Sequence, residues 1–145
     1  MRQSLRVVEK LARNGRGLNL HEEVLDGIAK HSKGRGRLIT DNKATLAMTL
    51  EGQVLRLADI IAYVNHDFDD ACRAGLMKSD ELPKPIDAVL GSRGPERLEC
   101  LIKDVVEATR EAGLERVMMS HEVCEALEAF RDVLYERVYL TEALV

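Results

Sequence analysis

Apolar residues return at three- and four-residue steps along most of the chain, the period of a helix that buries one side. The first such segment carries Leu5, Val8, Leu11 and Ala12 and meets Gly15 after Asn14, which predicts an amphipathic helix with a glycine stop. Asn19, with Glu22 three residues on, has the spacing of a capping box. It predicts a second helix with Val24, Leu25, Ile28 and Ala29 on its inner side. Periodicity then lapses over Ser32 to Asn42, where glycine and positive charge collect and a loop is expected. From about Leu46 to Ala74 the helical step resumes through Leu50, Val54, Leu57, Ala58, Ile61, Ala62 and Phe68, and Gly75 closes the longest predicted helix. All three prolines fall in the next stretch, a loop with room for a short turn around Ile86 to Leu90. Pro95 suits the first turn of a fourth helix carrying Leu98, Leu101, Ile102, Val105 and Val106 before Gly113. Ser120 is placed to cap a fifth, whose stripe is Val123, Leu127, Phe130, Leu134 and Val138. The expectation is an all-α helical bundle, one domain over residues 1–145, with loops at 32–45 and 76–94.

Composition narrows this picture without changing it. A chain of 145 residues with 46% hydrophobic content can bury a single core, and 3% aromatic residues with no Trp favours helices over sheets. A net charge of −4 gives no general reason to expect a polyanion partner. The basic residues Lys33, Arg35 and Arg37 are the only local support for a nucleic-acid module, and their loop lacks the spacing that cradles phosphates. Cys72, Cys100 and Cys124 are odd in number and form no CxxC pair, which suits a reducing cytoplasm. No apolar run reaches the length of a membrane span, and Arg2, Arg6, Glu9 and Lys10 stand where a signal peptide would be apolar. A cytoplasmic protein without membrane contact is expected.

The candidate chemistry lies in RLADIIAYVNHDFDDACRAG, residues 56–75. Taking Asp59 as zero, helical pitch puts Tyr63, His66, Asp67 and Asp70 at about 40°, −20°, 80° and 20°. Hard divalent ions favour carboxylate oxygen and imidazole suits transition metals, so this side has the donors for a metal and a polar substrate. Acids on a helix are ordinarily a solvated face. Here they mix with Ile60, Ile61 and Ala62, and a carboxylate beside buried positions needs a partner or an ion.

These residues resemble a late motif of the bacterial dGTPase-like deoxynucleoside triphosphate triphosphohydrolases of the HD superfamily, in which aspartate is followed by tyrosine at four and aspartate at eight. The stretches RQSLRVVEKL, GLNLHEEVLDGIAKHS, TLEGQVLRLADIIAY, the LP and VLG landmarks within 82–91, and FRDVLYERVYL at 130–140 resemble successive parts of that family in order. The resemblance implies an all-helical, partial HD-domain fold. It also implies hydrolysis of a dNTP to deoxynucleoside and tripolyphosphate with a divalent metal such as Mg or Mn, and a homo-oligomer. On that likeness Asp59 matches the last metal ligand, while Tyr63 and Asp67 match the residues that contact substrate sugar and phosphates. His66-Asp67 then only looks like the metal dipeptide.

The family's first histidine, its true His-Asp pair and the histidine and acid that assist catalysis lie upstream of the part that resembles Arg2 onwards. The chain is therefore expected to be the latter part of a longer enzyme, retaining one of four metal ligands and inactive alone. His21 and His31, ten positions apart and about −80° around the axis, are poorly placed to share a metal. His121 at a helix start reads as a capping or surface residue. The competing expectation is a non-catalytic helical domain that regulates or assembles with a full-length HD hydrolase.

Overall fold

In the computed structural model, which describes residues 2–32, 36–40, 42 and 44–140 (Arg2 by its backbone alone), every regular element is helical. The α-helices are α1 (Arg2–Arg6), α2 (Ala12–Gly15), α3 (Glu22–Lys30), α4 (Leu50–Arg73), α5 (Lys84–Leu90), α6 (Gly94–Glu111) and α7 (His121–Leu134). Two π-helical turns, Val7–Leu11 and Tyr135–Tyr139, follow α1 and α7. Among the described residues there is no strand, so the protein is all-α. No helix among them is long and apolar enough to cross a membrane. The chain forms two compact units, Met1–Asp59 with Glu115–Val117, and Ile60–Leu114 with Met118–Val145. The N-terminal part of α4 belongs to the first and its C-terminal part to the second.

In the first unit the structure departs from the sequence pattern at both helix starts. The expected single helix over residues 3–15 breaks into α1, a π-helical turn and α2, where Arg13 and Asn14 take left-handed angles (φ 53° and 57°). Val7 and Leu11 are 48% and 51% exposed, so no buried face holds the segment to one regular helix. Gly17 makes the turn that follows. Its φ is +69°, and a Cβ there would stand 2.1 Å from the Glu9 carbonyl oxygen, so only glycine fits. The expected Asn19–Glu22 capping box is absent. Asn19 is left-handed (φ 51°), which turns it out of register, and His21 in extended conformation is the N-cap of α3.

The long helix begins at Leu50 instead of Leu46, because Leu46–Thr49 are held by other bonds. Met48 N–H donates to Asp26 Oδ2 at 2.8 Å, and Thr49 Oγ1 accepts from Gly52 N–H at 3.1 Å as a helix cap does. The buried Gln53 amide donates to Ala47 O at 3.1 Å and accepts from Val117 N–H at 2.9 Å, which ties the distant segment Glu115–Val117 into this unit. Gly27 and Gly52 let α3 and α4 touch backbone to backbone. A Cβ on Gly52 would come within 3.1 Å of Gly27 Cα and 2.8 Å of Ala47 Cβ.

The second unit follows the pattern closely, except that the expected loop at 76–94 holds the seven-residue helix α5 where only a short turn was expected. Every residue of the stripe expected for α7, Val123, Leu127, Phe130, Leu134 and Val138, is buried, and Ser120 Oγ accepts from Val123 N–H as the predicted cap. The Glu96 carboxylate accepts from Arg93 N–H at 3.2 Å and fixes the start of α6, with Pro95 in its first turn as expected. The core joins Ile61, Val64, Phe68 and Ala71 of α4 to Ile86 and Leu90 of α5, Leu101 of α6 and the α7 stripe. Phe68 and Phe130 meet edge to face at its centre, 5.5 Å between ring centroids.

Candidate functional site

The acids of the long helix separate into distinct surroundings. Asp70 is a surface residue paired with Arg73 at 2.7 Å, and His66 is exposed. Asp67 is half-buried, and its Oδ2 accepts a hydrogen bond from the Tyr139 hydroxyl. Tyr139 reaches it from 72 positions away because the π-helical turn at the end of α7 rotates the last residues of that helix. The Tyr139 ring rests edge to face on Tyr135, with centroids 6.1 Å apart. Burial pushes the Tyr139 phenol well above the usual tyrosine range, and the Asp67 hydrogen bond and charge, with Tyr63 beside them, push it further.

The result is a cluster of Tyr63, Asp67 and Tyr139 in the second unit. Asp67 Oδ1 accepts nothing from the described residues, so that oxygen retains its capacity to accept a hydrogen bond. Tyr139 was absent from the sequence reading as a site residue, although it sits in the stretch FRDVLYERVYL. No local spacing announces a contact between two elements so far apart in the chain.

Asp59 ends the first unit's part of α4. It is half-buried and makes no hydrogen bond or ion pair with any described residue. Among the described residues no three His, Cys, Asp or Glu side chains converge as a metal would require. A single carboxylate does not close a coordination shell. The histidines have other surroundings. The exposed His21 is the N-cap residue of α3 with no side-chain cap hydrogen bond, the His31 ring nitrogen lies 2.5 Å from Ile28 O, and the exposed His121 stands 3.4 Å from Glu125. Of the basic loop, Lys33 and Arg35 lie outside the described residues, and Arg37 is exposed.

Sequence reasoning also passed over Arg97. It is 1% exposed, with its guanidinium 5.0 Å from the Phe68 ring centre and 5.5 Å from that of Phe130. Nε donates to Asn65 Oδ1 at 3.2 Å and Nη1 to Ser92 O at 3.0 Å. Burial lowers its pKa from the ordinary arginine value, against the opposing pull of Asp69 and Asp87. The Cys72 thiol nearby is pushed up, first by burial and then by Asp69.

An all-helical protein with an Asp-Tyr-Asp series along one long helix is thus the class that the fold and these residues define. Comparison with known proteins gives it a family. The chain is 47% identical over 145 residues to a deoxyguanosinetriphosphate triphosphohydrolase-like protein of Clostridium perfringens, covering 98% of this chain and 41% of that protein. A protein of the same name from Desulfatibacillum aliphaticivorans is 46% identical over 139 residues, 95% of this chain and 40% of its own length. That of Caldanaerobacter subterraneus is 44% identical over 138 residues, 95% and 37%. No protein-family model matches the chain. The chain is a relative of the deoxyguanosinetriphosphate triphosphohydrolase-like proteins and corresponds to a part of one, spanning about two-fifths of their length.

Proposed function

We propose that this chain is one part of a metal-dependent enzyme that hydrolyses deoxynucleoside triphosphates to the deoxynucleoside and tripolyphosphate. The observation that carries the reading is 47% identity through 98% of the chain to a deoxyguanosinetriphosphate triphosphohydrolase-like protein, together with Asp59, Tyr63 and Asp67 at four-residue steps on the uninterrupted helix α4. Asp59 would contribute one carboxylate to a divalent ion such as Mg or Mn, with the remaining ligands supplied by the rest of the protein. Bound there, such an ion would supply Lewis-acid activation of the phosphate and of water.

The chain's own residues bind and orient. The Tyr63 ring gives the deoxyribose an apolar face. Asp67 Oδ1 accepts a hydrogen bond from a sugar hydroxyl, while Tyr139 holds the other oxygen and so fixes the carboxylate plane.

The experiment co-expresses this chain with the remainder of a dGTPase-like relative and reads metal content beside tripolyphosphate release from dGTP. Asp59→Ala should lose both. Asp67→Ala should keep the metal and lose substrate binding or turnover, and Tyr63→Phe should be milder than Tyr63→Ala because it keeps the ring. Metal retained in Asp59→Ala and lost in Asp67→Ala would reverse the assignment and make His66-Asp67 the ligand dipeptide.

A further inference from the structure

The second unit carries a groove of about 410 Å³ lined by Phe68, Asp69, Cys72, Gly94 and Arg97 among others. It is separate from the Tyr63–Asp67–Tyr139 cluster, because Asp69 stands about 200° around the α4 axis from Asp67. Its floor is the buried guanidinium of Arg97. Two of that side chain's nitrogens are engaged, whereas Nη2 donates to no described residue. Nη2 is not among the fully buried polar atoms without a partner, so it opens onto the groove and can donate to a group bound there.

Two further features aim at the same point. Asp69 lines the groove and makes no hydrogen bond or ion pair with the described residues, although its charge reaches Arg97. A methyl group placed on Gly94 would stand 3.8 Å from Arg97 Nη2 and 3.9 Å from Asp69 Oδ2, so a donor and an acceptor flank one small space. Gly94 is also the first residue of the 18-residue helix α6, whose leading N–H groups and dipole favour an anion. Arg73 and Arg93 line the rim, each already facing its own carboxylate, Asp70 and Glu96.

A plain anion would satisfy Arg97 and be repelled by Asp69. We propose that the groove binds a phosphate group that still carries a P–OH. Arg97 Nη2 donates to a phosphate oxygen, the first turn of α6 faces the charge, and Asp69 accepts from the P–OH. Sulfate has the same shape and no proton to give at neutral pH, so it meets the Asp69 carboxylate unrelieved. Free hydrogenphosphate and the protonated end of a polyphosphate share this chemistry.

The test is calorimetry and amide NMR on the 145-residue chain, titrated separately with phosphate, sulfate and tripolyphosphate at constant ionic strength. Phosphate should bind saturably, shift the amides of Gly94, Glu96 and Arg97, and bind at least about tenfold tighter than sulfate, as a lost charge-assisted hydrogen bond requires. Gly94→Ala places a methyl in the space at ordinary contact distances and at a helix position that tolerates alanine. It should keep the helical spectrum and the melting temperature while weakening phosphate about tenfold or more. Asp69→Asn should narrow the preference for phosphate over sulfate. Tripolyphosphate binding more tightly than phosphate would mark a chain end as the ligand, and weaker binding would mark the free ion; both keep the recognition of P–OH. Equal affinity for phosphate and sulfate, indifference to Gly94→Ala, or shifts at Tyr63 and Asp67 instead of Gly94, Glu96 and Arg97 would overturn the proposal.

Discussion

His66 and Asp67 are neighbours in sequence with opposite surroundings, since one faces water and the other receives the Tyr139 hydroxyl. This contact has a pH signature whose sign is fixed. A phenol whose folded pKa is raised contributes its stability in full below the unfolded tyrosine value of about 10 and loses it as pH rises through the folded value. Ultraviolet titration of phenolate should therefore show a last, delayed tyrosine step that vanishes in Tyr139→Phe. A variant in which one of the two remaining tyrosines still titrates late would assign the delay to that tyrosine instead. Spacing could place Asp67 on a helix face; it could not foresee the ring that comes to it, because that depends on a π-helical turn 72 positions away. Arg97 was illegible for a different reason. Arginine is ordinarily a surface residue, and only the meeting of Phe68 and Phe130 makes a place for its charge inside.

Helices with a wide buried face kept the apolar stripe expected of them, and those without one formed with part of that stripe exposed. The α7 stripe came through whole because each of its apolar positions faces the core, whereas Val24 of α3 and Val54 of α4 fit the helical period and are 47% and 50% exposed. Start signals were legible where the side chain had no competing task. Ser120 caps α7 as its position suggests, while Asn19 is diverted into a left-handed turn. Ser120→Ala should accordingly cost about 0.5–2 kcal/mol in urea unfolding. Gly52 tests a contact that no helix propensity foretells. Alanine is the better helix former, yet a methyl at Gly52 would stand 2.8 Å from Ala47 Cβ and 3.1 Å from Gly27 Cα. Gly52→Ala should destabilise by about 1–3 kcal/mol through overpacking. A stabilised variant would mean that α3 and α4 move apart freely.

At the scale of the whole molecule, apolar surface remains uncovered. Leu98, Ile102 and Val106 form a stripe along α6 at four-residue steps, 41%, 51% and 61% exposed, and Leu114 and Leu140 are exposed as well. A stripe of this kind limits the concentration at which a chain stays in solution. Ile102→Lys should raise that limit, measured by light scattering, while changing stability by no more than about 0.5 kcal/mol. Phe130→Ala should do the reverse, costing about 3–5 kcal/mol because it removes the ring at the centre of the second unit's core. The all-α class was legible at this scale because composition and period agreed over most of the chain. The division into two compact units was not, since α4 carries one unbroken helical pattern across the boundary at Asp59 and Ile60.

The placement of Tyr63, Tyr135 and Tyr139 has an optical consequence. They are the only tyrosines in the chain, there is no tryptophan, and two of them belong to the cluster around Asp67 while the third rests against Tyr139. Near-ultraviolet emission from this protein therefore comes almost wholly from one neighbourhood. A hydroxyl donating to a carboxylate is a quenched emitter, so whatever displaces Tyr139 from Asp67 should brighten the chain without any added label.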